Sequence, residues 1–153
     1  MTAYFFDTSA LVKRYSRETG TAWMLGLFRR PAGHRLYVLR ITGVEAAAAL
    51  TRKRRGSHIT ADEAARALAR LRRDLGARLR IVEVTPALLT NAMTLAEKHA
   101  LRGYDAVQLA GVLEANNERV RQRLAPLTLV AADGELLAAA AAEGLTTDNP
   151  NNH

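Results

Sequence analysis

The chain has 153 residues, 48% of them hydrophobic, and carries 22 Lys and Arg against 15 Asp and Glu. This length corresponds to one domain, and the apolar fraction is too high for an intrinsically disordered chain. The absence of cysteine excludes a disulfide framework and a thiolate zinc site. The net charge of +7 favours RNA, DNA or an acidic membrane surface as partner, although a genome rich in alanine and arginine codons would produce the same surplus.

Short apolar runs alternate with helical patterns along the chain. The first strand is predicted at 4–6, and Asp7, Thr8 and Ser9 offer caps for a helix that continues to about Tyr15. Further strands are predicted at 36–39, 79–84, 127–132 and 145–147. Further helices are predicted at 18–29, at 42–55, at 60–75, from 85 to a turn at 101–103, from 104 onward, and at 134–143.

This alternation predicts one α/β domain over residues 1–148, with a mostly parallel central sheet flanked by helices. Residues 149–153 are predicted to be a frayed C-terminal tail. No run is apolar enough to span a membrane, and the N-terminus lacks the basic-then-apolar pattern of a signal peptide. We therefore expect a cytoplasmic protein that does not enter a membrane.

Four acidic residues lie where such a sheet builds a site. Asp7 follows the first predicted strand and Asp133 follows the strand at 127–132. Because ligands bind outside the carboxyl ends of parallel strands, the two carboxylates are expected to meet, joined by Glu45 and Asp105 from helices. Clustered carboxylates resist ionising together unless a cation holds them, and Mg²⁺ prefers oxygen ligands. The pattern indicates metal-assisted chemistry on phosphate.

Each acid also has a simpler explanation. Asp7 and Asp133 are suited to cap helices, and Asp105 lies in a first helical turn, where the helix dipole favours a carboxylate. Glu45 is harder to explain in this way, because its segment is almost wholly apolar. A carboxylate there reaches an edge or has a partner. The four acids together favour a site.

Four segments of the chain resemble a known family. They read YFFDTSAL at 4–11, TGVE at 42–45, RGYDAVQLA at 102–110 and LVAAD at 129–133. In this order they resemble PIN-domain proteins, and most of all the VapC toxins of bacterial type II toxin–antitoxin modules. One position departs from the family pattern. Members often carry Thr or Ser two positions before the fourth acid, where this chain has Ala131, so one supporting hydroxyl is missing.

The resemblance implies a Mg²⁺- or Mn²⁺-dependent ribonuclease that leaves a 5′-phosphate. Asp7 and Asp105 would bind metal directly or through water, and Glu45 would complete the shell or orient the attacking water. Asp133 would hold a second ion or its waters. The hydroxyl of Thr8 or Ser9 would support a carboxylate or a metal-bound water, with helix capping as the alternative role.

The resemblance also implies two protein partners. An antitoxin chain would lie along an apolar groove between the first two helices and block the acids, and a homodimer would align the basic grooves. The residues offered for this groove are Leu11, Val12, Trp23, Leu27 and Phe28. Packing in the core is the alternative for the same residues.

Basic and aromatic side chains near the acids are candidates for RNA contact. Phosphate contacts would position RNA without reading its sequence, and the candidates are Lys13, Arg14, Arg40, Arg52 and Arg102. For the basic run at 52–55 the alternative is a solvated helix end. Bases would stack on Tyr15, Tyr37 or Tyr104, unless these rings lie in the core.

The sequence thus predicts a PIN-fold, VapC-like endoribonuclease toxin. Three alternatives stay open. One is a PIN nuclease that processes RNA or cuts DNA flaps. Another is a non-catalytic module that binds RNA or a protein partner. In the third, the acids bind metal only to stabilise the fold.

Overall fold

The computed structural model describes residues 2–153. Its strands are β1 (Ala3–Phe6), β2 (Arg35–Leu39), β3 (Arg80–Val82), β4 (Leu127–Val130) and β5 (Thr146–Asp148). Its α-helices are α1 (Thr8–Leu11), α2 (Thr21–Leu27), α3 (Thr42–Arg55), α4 (Ala61–Ala77), α5 (Pro86–His99), α6 (Gly103–Arg121) and α7 (Gly134–Ala142). Short 3-10 turns lie at Val12–Arg14, Arg30–Ala32 and Pro150–Asn152.

The five strands form one sheet in the order β3-β2-β1-β4-β5, and every neighbouring pair is parallel. The predicted α/β fold with a parallel sheet is confirmed. At the end of β1, Phe6 pairs with Val38 of β2 and Val130 of β4. The three central strands therefore end at one edge, and the residues that follow them lie close together.

The sheet is covered on both faces, because adjacent side chains of a strand point to opposite sides. Phe5 belongs to the core on the side of α5, α6 and α7, and Phe6 to the core on the side of α1, α2, α3 and α4. Gly111 brings α6 close to the sheet. A Cβ at this position would lie 2.6 Å from Cδ1 of Leu39.

Several predicted boundaries differ from the structure by one to three residues. The first predicted helix becomes α1 followed by a 3-10 turn. The helix predicted at 18–29 is shorter, because Gly20 takes a positive φ of 88° before Thr21 begins α2. The strands predicted at 79–84 and 127–132 are shorter as well, and the last strand is shifted by one residue.

The prediction of a frayed tail at 149–153 is wrong. Pro150 is buried, and Asn149 caps the last turn by accepting a 2.9 Å hydrogen bond from the backbone N–H of Asn151. The ring of His153 stacks on Trp23, with centroids 4.1 Å apart and planes inclined by 2°. These contacts order a segment whose polar composition suggested disorder.

The apolar groove predicted between the first two helices is also absent. Leu11, Val12, Leu27 and Phe28 are buried in the core beside β1, and Trp23 packs against Tyr4 and His153. The alternative of core packing is therefore the correct one. Within residues 2–153, no helix combines the length and the apolar character needed to cross a bilayer.

Candidate active site

Asp7 begins the site directly after β1. Its backbone is extended and its side chain caps α1, with Oδ1 accepting hydrogen bonds from Ser9 Oγ at 2.7 Å and from the Ala10 N–H at 3.0 Å. Burial raises the pKa of Asp7 to about 7, helped by the charges of Asp105 and Asp133 and opposed by the hydrogen bonds from Ser9 and Ala10. Asp7 is thus both a cap and a carboxyl group that binds a proton more readily than an ordinary aspartate.

Ser9 connects the loop after β1 to the loop after β4. Its Oγ donates to Asp7 and accepts a 2.9 Å hydrogen bond from the Ala132 N–H. The next residue, Asp133, caps α7 through Oδ1, which accepts from the N–H groups of Glu135 and Leu136. Its other oxygen, Oδ2, lies 3.8 Å from Nη2 of Arg102. Capping therefore uses one oxygen of Asp133 and leaves the other facing the site.

Glu45 and Asp105 come from α3 and α6. Thr8 Oγ1 donates a hydrogen bond to Oε1 of Glu45. Thr8 is thus the partner expected for a carboxylate in this apolar segment. Burial raises the pKa of Asp105, and the charge of Asp133 adds to this, while Arg102 opposes it. Arg102 Nε lies 3.8 Å from Oδ2 of Asp105. One exposed guanidinium therefore lies beside two of the four acids.

One cleft of about 180 Å³ is lined by all four acids. The other side chains of its wall are Thr8, Ser9, Tyr104 and Gln108. Among residues 2–153, no three Asp, Glu, His or Cys side chains are arranged so that they could hold a metal ion. Glu45 is bonded to Thr8, and Arg102 lies beside Asp105 and Asp133. The acids share a cleft without converging on one point.

The predicted RNA-contact residues divide into two groups. Lys13 is buried in an ion pair with Glu18 at 3.1 Å, and Arg14 pairs with Asp74 at 2.7 Å, so neither belongs to an exposed patch. Arg40 is exposed and pairs with Glu83, Arg52 is exposed near the end of α3, and Arg102 lies at the cleft. The second group alone is accessible to a phosphate backbone.

The three tyrosines proposed to stack bases differ in burial and in distance from the cleft. Tyr15 is buried and donates a 2.7 Å hydrogen bond to Asp74. Tyr37 is partly buried, and its hydroxyl accepts from Arg119 at 3.0 Å. Tyr104 lines the cleft, where burial and the neighbouring Glu45 raise the pKa of its hydroxyl. Of the three, only Tyr104 lies beside the acids.

Sequence reasoning missed two features of this region. The first is a set of exposed arginines on α4: Arg66, Arg70, Arg72 and Arg73. Arg72 and Arg40 border a groove of about 380 Å³ that also contains Val44, the neighbour of Glu45. The second is Gln108, which is 1% exposed. Its signal in the sequence was one amide on the face of α6 that otherwise carries Ala106, Leu109 and Ala110.

These features define an α/β protein with an acidic site at the carboxyl edge of its sheet. The sequence profile of the PIN domain family matches residues 4–120, which is most of the chain. The chain belongs to the PIN domain family.

Three similar proteins span most of this chain. It is 37% identical over 113 residues to Ribonuclease VapC45 of Mycobacterium tuberculosis (strain CDC 1551 / Oshkosh), covering 74% of this chain and 76% of that protein. The crystal structure of PAE2754 from Pyrobaculum aerophilum superposes with a TM-score of 0.63 at 27% identity, over 95% of this chain and 89% of that one. A toxin–antitoxin complex from Klebsiella pneumoniae superposes with a TM-score of 0.61 at 17% identity, over 96% and 97%.

Proposed function

We propose that this protein is a metal-dependent endoribonuclease that hydrolyses RNA phosphodiester bonds and acts as the toxin of a toxin–antitoxin module. The observation that carries the proposal is the single cleft that gathers Asp7, Glu45, Asp105 and Asp133. Its relative from Mycobacterium tuberculosis is named a ribonuclease. A basic surplus of +7 suits a polyanionic substrate.

The donor set of the cleft suits a hard divalent cation in its chemistry, because all four acids offer oxygen. The carboxylates of Asp7, Asp105 and Asp133 would turn toward the ion, since they do not converge on one point in the folded chain. A cation would also favour the ionised form of Asp7, whose burial otherwise favours the protonated form. Asp7 and Asp105 would hold Mg²⁺ or Mn²⁺, and Asp133 would hold a second ion or its waters. Glu45, which accepts a hydrogen bond from Thr8, would orient the attacking water. When bound, the metal supplies a Lewis acid for the phosphoryl oxygen.

The side chains of the protein would position the RNA around this cleft. Arg102 is exposed and lies beside two acids, so it can contact a phosphate next to the scissile bond. Arg40, Arg52 and Arg72 would contact the backbone further away, which positions RNA without reading its sequence. Hydrolysis adds the oxygen of water to phosphorus and breaks the bond to the 3′ oxygen, leaving a 5′-phosphate and a 3′-hydroxyl.

The test is cleavage of a total RNA pool by the purified protein with Mg²⁺ or Mn²⁺ and with EDTA. Asp7→Asn and Asp105→Asn are the site variants, and Asp62→Asn is the matched control, since Asp62 is exposed in the first turn of α4. We expect discrete cuts that require metal, survive in the control and disappear in both site variants. Absence of cuts by folded wild-type protein would refute the ribonuclease.

Loss of metal-dependent stability in Asp7→Asn without any cleavage by the wild type would instead support a metal that only stabilises the fold. Metal-independent RNA binding without turnover would support the non-catalytic module. A DNA flap cut in preference to RNA would support a processing nuclease. Each alternative thus predicts a different pattern from the same set of proteins.

The antitoxin would dock on the groove between α3 and α4. Its floor includes Val44, Ala47 and Leu68, its border carries Arg40 and Arg72, and Val44 is 69% exposed beside Glu45. An amphipathic segment with acidic residues fits this surface. Val44→Glu should weaken co-purification with the protein encoded by an adjacent reading frame, whereas Val120→Glu, at an exposed position near the end of α6, should not. Equal co-purification of both variants would exclude this groove.

A homodimer is proposed from the family resemblance. Leu89 and Met93 lie one turn apart on α5, and their exposed fractions of 44% and 69% make this face a candidate contact. Light scattering after size exclusion should give about twice the chain mass of 16.7 kDa for the wild type and the monomer mass for Leu89→Lys/Met93→Lys. A monomeric wild type would refute the dimer.

A further inference from the structure

Tyr104 and Gln108 line the acid cleft one helical turn apart on α6. Residues at i and i+4 share a helix face, and here that face meets α3. Gln108 Nε2 donates a 2.9 Å hydrogen bond to Thr42 Oγ1, and both residues are buried. Tyr104 is next to Glu45, which lies one turn after Thr42 on α3. The carboxamide of Gln108 is therefore held in one orientation between the two helices.

Two polar atoms on this face have no hydrogen-bond partner among residues 2–153: Oε1 of Gln108 and Oη of Tyr104. A buried polar atom without a partner costs stability. Leucine and phenylalanine would fill the same space without this cost. A chain that keeps both atoms in the wall of its acid cleft retains them for a group that the folded protein alone does not supply.

The chemistry of the two atoms indicates what that group is. The Gln108 oxygen can only accept a hydrogen bond, whereas the Tyr104 hydroxyl can donate and accept. The carboxylate of Glu45, a second acceptor, is their neighbour in the cleft. A water molecule is the smallest group that donates to two acceptors and accepts from a hydroxyl, and buried waters commonly have about three partners.

We propose that Gln108 and Tyr104 are positioning residues that hold one water molecule against Glu45 for attack on the scissile phosphate. This inference rests on the ribonuclease function proposed above. The protons of the water point to Gln108 Oε1 and to Glu45, and Tyr104 donates to one lone pair, which leaves the other lone pair to face phosphorus. The water oxygen forms the new bond to phosphorus, and the bond from phosphorus to the 3′ oxygen breaks. One water proton passes to Glu45, and the departing 3′ oxygen takes a proton from solvent.

The test compares variants that remove one partner of this water. Gln108→Leu and Gln108→Met remove the acceptor, and Tyr104→Phe removes the hydroxyl. Gln122→Leu and Tyr37→Phe are matched controls, since Gln122 is an exposed amide just after α6 and the hydroxyl of Tyr37 contacts Arg119 outside the cleft. The measurements are kcat and KM on a mapped RNA substrate, the Kd for Mn²⁺ by calorimetry, and Tm.

We expect kcat to fall about 10- to 100-fold in the site variants, the size typical of a misplaced reactant. The KM for RNA and the Kd for Mn²⁺ should stay at wild-type values, the Tm should not fall, and the control variants should keep wild-type kcat. If Gln108→Leu does not fold, as judged by circular dichroism, Gln108→Met carries the test because its flexible chain fills irregular space.

Two results would overturn the inference while leaving the ribonuclease intact. One is wild-type kcat in the Gln108 variants. The other is a fall in kcat that comes with a matching loss of Mn²⁺ affinity or of Tm, which would assign these residues to the structure of the site. A folded wild type that cleaves no RNA with either metal would refute the ribonuclease itself, and the water-positioning role with it.

Discussion

Ser9 holds Asp7 in place from a distance of 2.7 Å, and the same hydroxyl accepts a 2.9 Å hydrogen bond from the loop that carries Asp133. One side chain thus joins the ends of two neighbouring strands. It also opposes the effect of burial on Asp7, because a hydrogen bond to the ionised carboxylate lowers its pKa. Ser9 supports both the position and the charge of this acid.

Replacing Ser9 with alanine should therefore make cleavage require a higher pH. Without the hydroxyl, the pKa of Asp7 rises further, by about half to one unit if the bond contributes about 1 kcal/mol. We expect the acid limb of the kcat/KM profile to move to higher pH by a similar amount. Thr51→Ala, which removes an exposed hydroxyl from α3, is the control. An unmoved acid limb would contradict this role.

Asp7 should also make the metal-free protein less stable as the pH rises. Burial raises the pKa of Asp7 from 3.8 to about 7, so the folded chain binds this proton more tightly than the unfolded chain. Its contribution is complete below about pH 4 and is lost as the pH rises through 7. Each unit of difference corresponds to about 1.4 kcal/mol, which gives an upper limit of roughly 4 kcal/mol.

Urea unfolding in EDTA at pH 5 and pH 8 tests this point. Asp7→Asn removes the titrating group, so the stability of the variant relative to wild type should be greater at pH 8 than at pH 5. Asp62→Asn, at an exposed position, should show the same difference at both pH values. A constant difference for Asp7→Asn as well would show that the carboxyl is ionised in the folded protein throughout this range.

Removing Arg102 should have opposite effects on the two ligands of the cleft. Its guanidinium lies 3.8 Å from an oxygen of Asp105 and 3.8 Å from an oxygen of Asp133, where it competes with a cation. Because an exposed ion pair contributes up to about 1 kcal/mol, Arg102→Ala should tighten Mn²⁺ binding at pH 8 by up to about fivefold. The KM for RNA should rise, since a phosphate contact is lost.

Calorimetry with Mn²⁺ and steady-state cleavage measure these two effects. Arg52→Ala is the matched control, because Arg52 is exposed on α3 and makes no ion pair with the acids. It should leave the Mn²⁺ affinity unchanged. Weaker Mn²⁺ binding by Arg102→Ala would show that the guanidinium organises the carboxylates rather than competing for them.

Asp74 should be a major determinant of stability. This carboxylate is buried and accepts hydrogen bonds of 2.7 Å from both Arg14 Nε and Tyr15 Oη. Asp74→Ala leaves a poorly accessible guanidinium without its partner, which typically costs about 3–5 kcal/mol. Urea unfolding should give a loss of this size, against less than about 1 kcal/mol for Asp62→Ala at the exposed start of α4. Similar losses for the two variants would contradict the prediction.

The arginines of α4 should add to RNA affinity without specificity. Arg72 is exposed on the groove beside Glu45, and each phosphate contact changes the slope of log K against log salt by about 0.7 for a single strand. Introduced into the Asp7→Asn background, Arg72→Ala should lower both the affinity and this slope. Arg30→Ala, in the 3-10 turn that follows α2, should change neither the affinity nor the slope. An unchanged slope would place the RNA elsewhere.

Two of the four acids could be predicted from their positions directly after apolar segments of the sequence. Asp7 and Asp133 each follow an apolar run, and parallel strands bring such residues to one edge whatever the helices do. Glu45 and Asp105 were candidates from the pattern, and the family resemblance strengthened both, because a helix residue alone does not reveal which way it faces. The roles of all four acids in catalysis remain predictions.

The failures came from acidic partners that the fold places beside basic residues. Arg14 looked like a phosphate contact until the fold placed Asp74, sixty positions later, beside it. Lys13 was likewise predicted to contact phosphate, but in the fold it forms an ion pair with Glu18. Charge in a sequence gives the number of cations but not their partners, so basic residues near an active-site motif were overcounted.

The placement of β1 between β2 and β4 has a consequence for synthesis. β1 contains residues 3–6 and pairs with β4 at residues 127–130, so the central pairing joins segments from near the two ends of the chain. Such a pairing requires closure of a long loop before it forms. A ribosome-bound chain therefore cannot assemble Asp7 with Asp133 until β4 has left the exit tunnel. A chain released between Asp105 and Asp133 would contain three of the four acids and no complete cleft.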